Sequence, residues 1–159
     1  MIHNHIRVLP TVGMAALAAA VALLSACGGS SASNQTATFK SGYDPVANQF
    51  KRISIVIGSE IRQASSQSDA QLAARFHTFA TRWQTQLSRL QTLKPPPSLA
   101  THYNTVAGAA SRVESDLTGI VAAARTHNAS AAKQAAASLV ADIQTAKAAS
   151  TKITNALGT

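Results

Sequence analysis

The feature that most constrains this chain is a helical period of apolar residues running almost without pause from Val46 to Leu157. Val46, Phe50, Ile53, Ile57, Ile61 and Ala64 recur at steps of three or four, and so do Leu72, Phe76, Phe79, Trp83, Leu87, Leu90 and Leu93. A third set comprises Leu99, Tyr103, Val106, Ala110, Val113, Leu117, Ile120 and Ala124. The fourth comprises Ala132, Ala136, Leu139, Ile143, Ala146, Ile153 and Leu157, with one position skipped near Ser150. Each set lies along one side of an α-helix, and an apolar side must be covered by a neighbour.

The punctuation agrees with four helices. Asp44-Pro45 reads as an N-cap followed by proline at the first helical position, and Ser68 with Gln71 reads as a capping box. Lys94-Pro95-Pro96-Pro97 ends the second helix, Asn128 caps the fourth, and Gly158 stands where a C′ glycine belongs. Helices of about 23–29 residues joined by short turns pack as antiparallel neighbours. The expected fold is therefore all-α, an antiparallel up-down-up-down four-helix bundle over residues 44–159. The β-branched run Ile53-Ser54-Ile55-Val56-Ile57 has no partner strand and is read as helix. Gly58, Gly108 and Gly119 either weaken their helices or let neighbours approach closely.

Residues 1–26 read differently. Arg7 precedes an unbroken apolar run from Met14 to Leu24, and Leu24-Ser25-Ala26-Cys27 follows. Positive charge, apolar stretch and small-residue exit are the order of a secretory signal. A membrane span needs about 20 apolar residues, and Pro10, Thr11 and Gly13 interrupt the approach to this shorter, alanine-rich run. The Leu24–Cys27 tetrad resembles the lipobox of bacterial lipoproteins. That resemblance implies diacylglycerol on the Cys27 thiol, cleavage between Ala26 and Cys27, and residence at the cell membrane on the extracytoplasmic side. In a host with two membranes the outer one is an alternative. Two acyl chains suffice for stable anchoring. Residues 27–43, dominated by Gly, Ser, Thr, Asn and Gln, are expected to form a flexible tether behind the lipidated cysteine.

The remaining chain is short of catalytic groups. It has one cysteine, so an intramolecular disulfide is ruled out. A ferritin-like di-iron site needs Glu-x-x-His pairs, whereas Glu60 and Glu114 have no histidine three residues on. The c-type haem motif is missing, and both methionines lie in the signal. His102 and His127 stand at opposite ends of the third helix, and all three of His77, His102 and His127 are expected at the surface or its boundary. There is no G-x-S-x-G elbow. No catalytic, metal or cofactor-binding residue is assigned, and the chain is read as a non-enzyme.

Charge supplies the only polar pattern. The balance of 14 Lys+Arg against 6 Asp+Glu favours anionic contacts without naming one. Arg75, Arg82 and Arg89 recur every seven residues and form a cationic line on the second helix. They would contact anionic lipid, a wall polymer or an acidic protein. The plainer alternative, a solvated helix face, carries more weight. Nucleic acid is not expected. Trp83, Phe76 and Phe79 are expected in the core rather than in a ligand pocket. Two functions follow: a non-enzymatic binding or structural module of the cell envelope, and a carrier or sensor holding a small apolar ligand between helices. A cavity of several hundred cubic ångströms beside Trp83 would favour the second.

Overall fold

A computed structural model of the chain describes residues 28–158. It is all-helical, with four long helices: α1 (Gly28–Gln63), α2 (Asp69–Gln91), α3 (Ala100–Arg125) and α4 (Ala129–Leu157). Short 3-10 turns, Ala64–Ser66 and Pro97–Leu99, join the first two connections. No strand occurs among the described residues, and Ile53–Ile57 lies within α1. Ala26 and Cys27 lie outside the described residues.

Local signals explain most of the boundaries. Ser68 accepts the Gln71 backbone N–H, while the Gln71 side chain accepts from Ser68 N, so the capping box is complete. Asn128 accepts from Ala131 N at the start of α4, and Gly158 closes that helix with φ of 67°. Between α3 and α4, His127 takes a positive φ of 53°, which lets His127 N and Asn128 N donate to Ala124 O and Ala123 O. Those two bonds satisfy carbonyls that a helix end otherwise leaves open.

The beginning of α1 corrects the sequence reading. Residues 28–43 were expected to form part of a flexible tether, with a helix starting at Asp44-Pro45. Instead α1 runs for 36 residues and passes through Pro45. Phe39 and Tyr43 are the cause: they are four residues apart, both buried, and extend the first apolar stripe backwards. Phe39 stacks on Tyr43 with ring centroids 5.2 Å apart and meets Tyr103 edge-on at 5.8 Å. Burying each ring is worth roughly 1.5–3 kcal/mol. An interior proline forfeits one helical hydrogen bond and costs about 3 kcal/mol. The two rings together are enough to offset it.

Each helix touches its neighbours in sequence, and α1 also meets α4. Along α1 and α2, Gly42 lies against Leu93, Phe50 against Trp83 and Glu60 against Arg75. Along α2 and α3, Trp83 Nε1 donates to Ala110 O at 2.8 Å and the Tyr103 hydroxyl donates to Leu90 O. Arg112 pairs with Asp142, and Gly119 faces Ala135, between α3 and α4. Lys40 Nζ donates to Leu157 O, and the Tyr43 hydroxyl to Ser150 Oγ at 2.9 Å, between α1 and α4. The Tyr43 bond accounts for the skipped apolar position at Ser150, which turns inward to accept it.

Phe76, Phe79 and Trp83 are buried, as the stripe requires, and the whole third stripe from Leu99 to Ala124 is buried with them. Among the glycines with described surroundings, the one with least room for a side chain is Gly42 rather than the three singled out by sequence. A Cβ there would sit 2.7 Å from Leu93 Cδ2, whereas at Gly58 and Gly108 it would meet only an arginine tip. At Gly119 it would make ordinary contact with Ala135.

Candidate functional site

The packing is uneven, and the unevenness makes the site. Helix α3 buries ten side chains, but α4 fully buries only Leu139, Ala149 and Ile153. Helix α1 is held to α4 within its first half by the Lys40 and Tyr43 bonds. Beyond them a cleft of about 680 Å³ opens between α1 and α4. Its apolar lining includes Ala47, Phe50, Trp83, Val106, Ala110 and Ile143. Phe50 packs on Trp83, with ring centroids 4.4 Å apart, and the buried indole borders the cleft beside it. Lys51 and Lys147 stand on the rim together with Asp44. Tyr43 also borders the cleft, and burial pushes its phenol up, so it remains a neutral donor to Ser150. The chemistry on offer is an apolar trough with two ammonium groups at its edge.

A second, smaller depression of about 380 Å³ lies between α1 and α2. Ile53, Val56 and Phe79 form its apolar part, and Arg52 and Arg82 enter it from opposite helices. Gln86 Oε1 is buried there without a hydrogen-bond partner. Neither arginine is in an ion pair among the described residues.

Arg75, Arg82 and Arg89 are all exposed on α2, as the sevenfold spacing predicts, but they are not equivalent. Arg75 Nη1 reaches 3.1 Å to Glu60 Oε2, and Glu60 is a buried carboxylate that also accepts from Gln67 Nε2. Arg75 is thus a structural counter-ion. Arg82 instead lines the smaller depression together with Arg52, a cation on α1 that reading α2 alone missed. A heptad on one helix could have been checked against basic residues on its neighbour, and Lys51-Arg52 was visible as such.

The histidines stay apart from any metal-like cluster. His77 is exposed, His102 half-buried, and His127 Nδ1 lies 2.6 Å from Asp69 Oδ2. Among the described residues no three His, Cys, Asp or Glu side chains gather into a metal-binding group. Nor is any described helix long and apolar enough to cross a membrane.

Asp116 on α3 has a raised pKa, first through burial and then through the neighbouring Asp142 charge, with Arg112 opposing. Its Oδ2 is buried without a partner. A raised aspartate pKa means the folded chain holds the proton more tightly than the unfolded one. Stability therefore falls as pH rises from the ordinary value of 3.8 through the raised one, and the loss persists above it. Asp116→Asn is expected to raise the melting temperature at neutral pH, with the gain fading as the buffer is taken below the ordinary carboxylate range. Thermal melts across pH check this; an equal gain at every pH would contradict it.

Comparison of the chain with protein-family models, with curated proteins and with solved structures finds no match.

Proposed function

We propose that this chain is a bacterial lipoprotein, cut between Ala26 and Cys27, whose helical domain is a non-enzymatic binding module on the extracytoplasmic side of the membrane. The anchor rests on the Leu24–Cys27 tetrad behind its apolar run. The domain is read as an antiparallel up-down-up-down bundle. Support comes from the seams, where residue numbers rise on one helix as they fall on its neighbour. Phe50–Trp83 with Glu60–Arg75 and Tyr43–Ser150 with Lys40–Leu157 are two such series.

The observation that carries the binding role is the open cleft between α1 and α4, with its apolar lining that includes Trp83. Its volume lies within the range that small-molecule sites use, and its lining combines apolar area with a few polar groups. This favours the second sequence reading, a carrier of a small apolar ligand, as the specific form of the module. The wall polymer and acidic protein named from charge alone have no comparable feature in their favour.

Two experiments test these statements separately. Radiolabelled palmitate should follow the chain in growing cells and be lost in Cys27→Ser; label that persists, or never appears, removes the anchor. Trp83 is the sole tryptophan, so its emission reports on the cleft directly. A brominated long-chain fatty acid is expected to quench it saturably. Emission unchanged at every concentration would remove the carrier reading.

A further inference from the structure

Most large apolar side chains of the described residues are buried, and the exposed ones are Ile55, Val56 and Val140. Ile55 and Val56 are adjacent, at 64% and 47% exposure, and they form the outer ridge of α1 between the two depressions. Lys51 and Arg52 stand one turn before them on the same ridge, both exposed. Across the smaller depression is Arg82, and across the larger one is Lys147. Among the described residues Asp44 is the only carboxylate lining either depression, and none lines the one holding Arg52 and Arg82. The wider charge distribution points the same way. From Lys40 to Lys94 the chain carries eight Lys+Arg and three Asp+Glu, against five and three from Pro95 onward.

We propose that the outer ridge of α1 is a membrane-docking face, with Ile55 and Val56 entering the interface of an anionic lipid bilayer and Lys51, Arg52 and Arg82 meeting its headgroups. The pairing of exposed aliphatics with unpaired cations is the chemistry of an interfacial helix surface. A second copy of the chain fits this patch poorly, because a two-fold contact would set the same cations against each other. The choice of lipid over other polyanions rests on the lipoprotein reading, which brings the domain to a bilayer. Helix α1 begins at Gly28 and reaches Ile55 about 40 Å later, so docking lays the helix along the membrane plane. The face differs from the Arg75–Arg82–Arg89 line: it keeps Arg82, adds α1, and leaves Arg75 to Glu60.

The test uses residues 28–159 without acyl chains, since among the described residues every buried core side chain lies between Phe39 and Ile153. Its failure is then separate from failure of the anchor, which palmitate labelling reads. Co-sedimentation is measured with phosphatidylcholine vesicles with and without phosphatidylglycerol. The expected result is binding only to the anionic vesicles, with Ile55→Ser/Val56→Ser abolishing it. Arg52→Gln and Arg82→Gln should each weaken it about fivefold, in line with the value of one cation at a charged surface. Val140→Ser, an exposed aliphatic on α4, should change nothing. Circular dichroism confirms that each variant is folded, which is expected because the altered side chains are exposed. Equal binding to neutral vesicles, or anionic binding indifferent to Ile55 and Val56, overturns the proposal. So does binding to a soluble polyanion but to no vesicle.

Discussion

Phe39→Ala is expected to destabilise the folded chain by about 3–5 kcal/mol, a large share of the stability of a domain this size. The ring is buried between Tyr43 and Tyr103, and its removal leaves a cavity where α1 meets α3. A flexible tether over residues 27–43 would give a change within about 0.5 kcal/mol, as for ordinary surface positions. Urea denaturation followed by far-ultraviolet circular dichroism separates the two outcomes by several kcal/mol. A near-zero effect would return the helix start to Asp44.

Arg75→Gln should cost about 1–3 kcal/mol, because it leaves the buried Glu60 carboxylate with Gln67 as its remaining partner. The side chains are 59% exposed for Arg75 and 7% for Glu60, so solvent softens the loss on one side only. Arg82→Gln and Arg89→Gln should stay within about 0.5 kcal/mol. The Glu60→Gln/Arg75→Gln double variant should recover part of the loss, giving a coupling between the two sites. Equal effects at all three arginines would mean that the Glu60 pair contributes nothing. The distinction also governs how the cationic line is tested, since a triple substitution would mix a weakened fold with a weakened surface.

The sequence carried the helical class and most helix ends on local chemistry. Ser68–Gln71, Asn128 and Gly158 act within three residues of themselves, so a linear reading finds them. Phe39 was hidden by its setting: one aromatic in a polar stretch has no period of its own until Tyr43 joins it and Tyr103 covers it. Ile55 and Val56 mislead in the opposite way. Their run looks like core, yet at 100° per residue two of five consecutive positions must face outward. The cleft was not legible at all, because it arises from a shortage of large side chains on α4, and alanines at a helical period look the same whether covered or open. Ser150 appeared only as a gap in a stripe, and its meaning came from Tyr43 on another helix.

The first helix and the last also meet, and the Tyr43–Ser150 bond between them spans 107 residues. Contacts that far apart in sequence form late, because a long loop must be ordered before they return anything. Contacts between helices consecutive in the chain, α1–α2, α2–α3 and α3–α4, can assemble first, with the α1–α4 seam closing afterwards. Loosening the α1–α4 seam, for instance by Tyr43→Phe, should therefore accelerate unfolding while leaving the refolding rate nearly unchanged.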